Sequence, residues 1–330
     1  MDLTGYTIDQ VGAVDLSDEL KAWAEEGNCW RRYWLYHRVC REAYEKAHGG
    51  PPPGTPDGRV LSEKGVLVAD RIIDPTDCET FSQAFSDSLE NKFGRLEGLD
   101  KTVFTLQWNH RRGALLRELL PQIFSPERSA AIENYFGAYF QIIGVSLNRY
   151  FPSKERDISF LWHRDCEPPQ QLHLMVYLTG ASDKGGRTEA LNIEATRRAA
   201  EAGYSYPYLD SRTSDLDTVF GGSAEGTFVY KPDLEPGGGM LFAAPRNLHR
   251  GVLPSEGWRD TMLFLVIPSP IPWDQRVAVN FPTILRNGPH INCSNINPFG
   301  RFSPWEEGPR VVPEWAQLSY LEPLDGSLPC

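Results

Sequence analysis

The hydrophobic positions of this chain change period along its length. Between residues 17 and 47 helix formers dominate, and Tyr33, His37, Cys40 and Tyr44 recur at helical spacing, which predicts a helix ended by Gly49-Gly50-Pro51-Pro52-Pro53. The run from Gly65 to Ile73 reads as a strand. Asp74-Pro75-Thr76-Asp77 then opens a helix with Phe81, Ala84, Phe85 and Leu89 on one face, and Ser125-Pro126 starts another. Beyond residue 138 the pattern shifts to short β-rich runs, at 138–150, 158–163, 171–179, 226–231, 239–244 and 260–267, divided by Gly and Pro turns.

Short strands punctuated in this way predict an antiparallel sandwich or barrel. Residues 181–238 break the rhythm with a helix expected at 194–202 and a polar loop rich in Gly, Ser and Asp, so this insertion reads as an active-site lid. Gly237-Gly238-Gly239 lacks the following helix and the Lys-Ser or Lys-Thr of a phosphate cradle, and reads as a turn feeding a strand. Past residue 270 the chain is rich in Pro and Asn with little periodicity. The expected organisation is one domain: a mostly helical part at 1–137, a β core at 138–268 carrying the lid, and a wrap at 269–330.

Composition narrows the classes. With 41% hydrophobic and 23% charged residues in 330, the chain can bury one substantial core with helical additions. Its 33 Lys and Arg against 44 Asp and Glu give a net charge of -11, which repels phosphate backbones, so no nucleic-acid partner is expected. The six cysteines, Cys29, Cys40, Cys78, Cys166, Cys293 and Cys330, show neither paired short spacing nor companion histidines, and read as reduced thiols of a cytoplasmic protein. The first residues lack the basic start and apolar run of a signal peptide, and no apolar stretch reaches the roughly 18 residues that a membrane span needs. No membrane role is expected.

The candidate chemistry begins at His163-Arg164-Asp165, which ends the apolar run from Ile158 to Trp162. If that run is a strand, side-chain alternation aims His163 and Asp165 the same way and Arg164 the other. His249 follows the strand-like run from Gly239 to Ala244 and can complete a set of two imidazoles and one carboxylate. Such a set covers one face of an octahedral ion and leaves three positions free, as iron(II) oxygenases require for a co-substrate and O2.

Arg259 lies ten positions beyond His249 (249 to 259), across the turn chemistry of Leu253-Pro254-Ser255-Glu256-Gly257. Were the flanking segments a hairpin, the two residues would face each other at about 5 Å between Cβ atoms. A guanidinium there can clasp a carboxylate bidentately, which suits 2-oxoglutarate, whose keto acid end chelates iron while its far carboxylate needs an anchor. Thr261, on the same strand face, adds a hydroxyl donor.

Taken together these segments resemble the iron(II)/2-oxoglutarate-dependent dioxygenases, and in particular their prolyl 4-hydroxylase-like branch. The resemblance spans 65–268 and rests on the strand and helix at 65–90, His163-Arg164-Asp165, Tyr177-Leu178 followed by Gly185-Gly186-Arg187-Thr188, Gly237-Gly238-Gly239-Met240-Leu241-Phe242, and His249 with Arg259. It implies a mainly β fold with flanking helices, a double-stranded β-helix (a distorted, cupin-like jelly roll), with Fe(II) as cofactor and 2-oxoglutarate and O2 as co-substrates. Asn148-Arg149-Tyr150 is similar to a segment of alkylated-base demethylases that hydrogen-bonds 2-oxoglutarate, which makes Asn148 and Tyr150 further candidate contacts. Asp165 stands where the related halogenases carry a small residue, so hydroxylation is expected over halogenation.

The remaining polar residues divide. His173 reads as a strand histidine satisfied by hydrogen bonds, and His37, His48, His110 and His290 as structural. Trp162 and Trp258 read as core residues. Trp162 is also a candidate for the substrate pocket, with Arg164 and Arg246. The expected activity is hydroxylation of an aliphatic C–H of a small-molecule substrate, a free amino acid or biosynthetic intermediate, the long lid being suited to enclosing a compact ligand. A peptidyl hydroxylase is the alternative within the class, and a non-catalytic jelly-roll binding protein the alternative outside it.

Overall fold

The computed structural model describes residues 29–93, 102–153, 158–165, 169–181, 185–205 and 211–286. Helix α1 (Cys29–His48) buries Tyr33, His37, Cys40 and Tyr44 along one stripe and ends, as expected, at Gly49. A second helix, α2 (Pro56–Lys64), follows, started by Thr55 accepting from the Gly58 N–H and stopped by Gly65 in the left-handed region at φ 70°. Strand β1 (Val66–Ala69) and helix α3 (Pro75–Phe93) match the pattern, with Phe81, Phe85 and Leu89 fully buried. The pattern had given no sign of α2, of β2 (Val103–Leu106) or of α4 (His110–Ile123). Helix α5 (Pro126–Phe136) is capped by Ser125 and stopped by Gly137.

Among the described residues seven more strands follow: β3 (Tyr139–Tyr150), β4 (Leu172–Tyr177), β5 (Arg187–Leu191), β6 (Val229–Tyr230), β7 (Gly239–Phe242), β8 (His249–Val252) and β9 (Arg259–Ser269). A six-stranded sheet runs β1-β7-β4-β9-β3-β2 and a three-stranded sheet runs β6-β5-β8, every pairing antiparallel. From β3 to β9 the chain crosses repeatedly between the two sheets, and His163 adds a single bridge to β8 on the small sheet. This is the double-stranded β-helix, mainly β with flanking helices.

Alternation along the strands separates two apolar layers. Leu174, Val176, Leu241, Met262, Phe264 and Val266 face outward into a core shared with α3, α4, α5 and the last described helix, α8 (Trp273–Arg286). Met175, Tyr177, Met240 and Phe242 face the space between the sheets. Burial pushes the Cys78 thiol up to about 12, and Cys40 is likewise free and buried, so both act as small core side chains. The Cys29 side chain, Cys166, Cys293, Cys330 and His290 lie outside the described residues, as do the start of the first expected helix and the wrap beyond Arg286.

Four expectations need correction. Residues 158–163 are not a strand: Ile158–Phe160 form one 3-10 turn, whose Phe160 ring fills the space beside Gly251, where a Cβ would stand 2.7 Å from it. The stretch 181–238 is not lid throughout, because β5 and β6 within it belong to the small sheet. Between them lie α6 (Ile193–Glu201) and the short α7 (Leu216–Val219), which pack with Trp162 and Leu248. The segments around Pro254 are not a hairpin, since β8 pairs with β5 while β9 pairs with β3 and β4. The turn between them carries the chain from one sheet to the other. Residues after 270 are helical as far as Arg286, with the Phe281 and Ile284 side chains buried.

Candidate metal centre

His163 reaches the centre through backbone pairing. Its N–H donates to the His249 carbonyl at 3.0 Å, and the His249 N–H returns the bond at 2.8 Å. Asp165 is held two residues on by a bond from its N–H to Ala244 O at 3.2 Å. One short bridge thus brings together residues 86 positions apart in the chain (163 to 249).

The side chains converge. His163 Nε2 lies 3.3 Å and His249 Nε2 3.6 Å from the same oxygen, Asp165 Oδ1. Each Nδ1 faces the carbonyl two residues earlier, Leu161 O at 2.7 Å and Asn247 O at 3.0 Å. A carbonyl only accepts, so Nδ1 carries the proton and Nε2 presents its lone pair inward, the tautomer that a metal ligand needs. One ligand atom from each of the three residues lies within 4.8 Å of the others, and the group could hold a metal ion.

Electrostatics prepare the same state. Burial, with His163 close by, outweighs Asp165 and pushes His249 down to about 3, so its imidazole is neutral at pH 7. Burial acts to raise the Asp165 carboxyl, but its contacts with His249, His163 and His173 overcome it and hold it below the usual carboxylate range. An ionised carboxylate beside the neutral His249 imidazole takes up a cation without first losing a proton.

Arg259 begins β9 opposite Tyr150, and its guanidinium lies 4.4 Å over that ring. It is 2% exposed, and its Nε and Nη1 have no hydrogen-bond partner. Thr261 is fully buried with Oγ1 likewise unpartnered. The two residues project into the barrel with Asn148, whose amide is already engaged, accepting from Thr105 Oγ1 at 2.9 Å and donating to Ser146 Oγ at 3.0 Å. Gly186 leaves room for Arg259: a Cβ there would stand 3.2 Å from Arg259 Cδ and 3.1 Å from Pro254 N.

The three substrate candidates are engaged elsewhere. Arg164 is buried and donates from Nε to Ser205 O at 2.9 Å. Trp162 is fully buried among Leu191, Ala195, Ala199, Val219 and Leu248, with the Arg250 guanidinium 4.8 Å above its ring. Arg246 meets Tyr135 Oη at 3.3 Å and lines, with Arg41 and Asn134, a cavity of about 320 Å³ that none of the three triad residues borders.

Sequence reasoning undervalued His173. It is satisfied, with Nε2 2.6 Å from Gln171 Nε2, but its Nδ1 lies 3.7 Å from Asp165 Oδ2, so it borders the triad. The available signal was a pair of polar residues, Gln171 and His173, on the inward row of a strand otherwise apolar on that face.

Comparison with known proteins gives no matching family profile and no matching curated relative. Among solved structures, the chain is similar to the non-heme alpha ketoglutarate dependent carbocyclase SnoK from nogalamycin biosynthesis (16% identity, 66% of this chain and 84% of that one, TM-score 0.43). It is also similar to EctD from S. alaskensis with bound Fe (15% identity, 66% and 78%, TM-score 0.43) and to AviO1 from Streptomyces viridochromogenes Tue57 (14% identity, 66% and 95%, TM-score 0.41). Identities this low carry no activity across.

Proposed function

We propose that this chain is an iron(II)/2-oxoglutarate-dependent dioxygenase that hydroxylates an aliphatic C–H of a small molecule, a free amino acid or biosynthetic intermediate, with release of succinate and CO2. The observation that carries the reading is Arg259. A guanidinium buried without an anion costs several kcal/mol, and this one lies in the same barrel as a 2-His-1-carboxylate group. The unpartnered donors of Arg259 and Thr261 fit a ligand carboxylate, and the inward Nε2 lone pairs of His163 and His249 with Asp165 Oδ1 fit a ferrous ion.

Bound there, iron would activate O2, with 2-oxoglutarate giving two of the four electrons and taking one oxygen atom into succinate, while the other oxygen atom would go to the substrate. The chain's own residues do the rest. His163, Asp165 and His249 hold the ion, Arg259 and Thr261 grip the far carboxylate, and the Tyr150 ring backs the guanidinium. Asn148, pinned by Thr105 and Ser146, keeps the wall of that pocket in place. Trp162 and Arg164 brace α6 and the chain just after it, and Arg246 ties the segment before β8 to Tyr135 of α5.

A small molecule is preferred over a peptide in this reading, the chain between β5 and β6 being long enough to enclose a compact ligand. The prolyl 4-hydroxylase-like branch and a single domain of 330 residues belong to the same reading. So does a cytoplasmic location, supported by the free Cys40 and Cys78; among the described residues no helix is long and apolar enough to cross a membrane. The net charge of -11 speaks against a nucleic-acid substrate.

The test is to follow succinate from 2-oxoglutarate under O2 with added Fe(II), against panels of free amino acids and of peptides. Iron-dependent turnover stimulated by a free amino acid supports the reading, and stimulation only by peptides moves the substrate to the alternative. Absence of any iron-dependent decarboxylation, with ligand binding unchanged in His163→Ala, would leave a jelly-roll binding protein.

A further inference from the structure

We propose that His173 is a positioning residue for the metal centre: oriented by Gln171, its Nδ1–H holds the outer oxygen of Asp165 and so keeps the inner oxygen aimed at the ion. The inference rests on the reading of His163, Asp165 and His249 as metal ligands.

Strand alternation places Gln171 and His173 on the inward face of the chain entering β4, with Met175 and Tyr177. The His173 ring stands edge-on to Phe242 at 5.4 Å, and Phe242 in turn meets the His249 ring at 5.1 Å, so the imidazole has little freedom to turn. The two oxygens of Asp165 divide their neighbours: Oδ1 faces His163 and His249, and Oδ2 faces His173 Nδ1 at 3.7 Å.

The proton position follows from Gln171. Its Nε2 lies 2.6 Å from His173 Nε2, and an amide nitrogen can only donate, so His173 Nε2 accepts and Nδ1 carries the hydrogen. The reversed amide would protonate Nε2 and aim a bare Nδ1 lone pair at a carboxylate, which is repulsive. The present orientation leaves Gln171 Oε1 buried and unpartnered, a local cost accepted to fix the tautomer. At 3.7 Å the contact to Asp165 is longer than a hydrogen bond, and such active-site contacts commonly tighten when ligands arrive. A ligating carboxylate whose free oxygen is held cannot rotate its bound oxygen off the ion, and partners of this kind typically govern metal affinity by about 10- to 100-fold.

The experiment is an anaerobic titration with Fe(II), or with Co(II) read by its absorption, without 2-oxoglutarate, on the wild type and three full-length variants. His173→Phe keeps the ring and removes the donor, His173→Asn restores an amide N–H near the place of Nδ1, and Gln171→Leu frees the tautomer. We expect about 10- to 100-fold weaker metal binding in His173→Phe, substantial recovery in His173→Asn and an intermediate loss in Gln171→Leu. Wild-type affinity in His173→Phe, or equal weakness in His173→Asn, overturns the proposal. If His173→Phe does not fold, Gln171→Leu decides, and unchanged affinity there overturns it. A wild type that binds neither ion overturns instead the reading of the triad.

Discussion

His163 and His249 share a two-way backbone bridge, at 3.0 and 2.8 Å, and their ring centroids lie 4.4 Å apart. The metal end of the barrel is therefore built by main chain and only furnished by side chains. Truncating one ring should spare the fold and remove the function. His249→Ala is expected to weaken Fe(II) binding by more than about 100-fold and abolish succinate formation, with the far-UV circular dichroism unchanged. A variant that binds iron normally would remove His249 from the ligand set.

Arg259 is expected to act on the co-substrate alone. In Arg259→Met the loss of two charge-assisted bonds should raise the KM for 2-oxoglutarate by about 100-fold or more, while Fe(II) affinity stays at the wild-type level. Because the guanidinium is buried and largely unpaired, the same variant should be at least as stable as the wild type without ligand, and its melting temperature should no longer respond to 2-oxoglutarate. Thermal shift with and without the oxo acid checks both halves.

Gly186 tests whether the seat of Arg259 is tight. A methyl group there meets Pro254 and the Arg259 stem at 3.1 to 3.2 Å. Overpacking of this kind costs about 1 to 3 kcal/mol, so Gly186→Ala should raise the KM for 2-oxoglutarate roughly 10-fold without changing metal affinity. Steady-state kinetics at saturating iron would show it. An unchanged KM would mean that the guanidinium moves aside freely.

Two groups give stability opposite pH trends. Burial first, and Asp274 second, raise the Glu133 carboxyl to about 7 from an ordinary 4.5, so the folded state holds its proton more tightly than the unfolded chain. That contribution is complete below pH 4.5 and is lost as pH rises through 7. Glu133→Gln should therefore be more stable than the wild type at pH 8, by about 1 to 2 kcal/mol after discounting partial exposure, with no difference at pH 4. His249, pushed down from 6.5 to about 3, works in reverse: its contribution is complete above pH 6.5 and falls away as pH drops toward 3. Urea denaturation of chelator-treated protein at pH 4, 6 and 8 separates the two. A constant gap between Glu133→Gln and the wild type across that range would contradict the assignment.

The amino-acid order determined by itself whatever depends on local period and on ligand type. The capped helices at Pro75 and Pro126 and the long strands β3 and β9 follow from spacing that is visible in the chain, whereas His163, Asp165, His249 and Arg259 are candidates by residue type, since the strand and the hairpin that their spacing suggested do not form. Tertiary structure alone decided how those pieces meet. Nothing local states that β5 and β6 belong to the small sheet, that the residues before His163 coil into a turn under Gly251, or that His249 and Arg259 sit on different sheets. These outcomes depend on backbone hydrogen bonds between segments far apart in sequence, and such bonds leave no periodic trace. The same holds for His173, an unremarkable strand histidine until pairing with β7 and β9 sets it 3.7 Å from Asp165. Side-chain chemistry is written residue by residue, whereas proximity arises only when the sheets close and bury the faces that alternation has sorted.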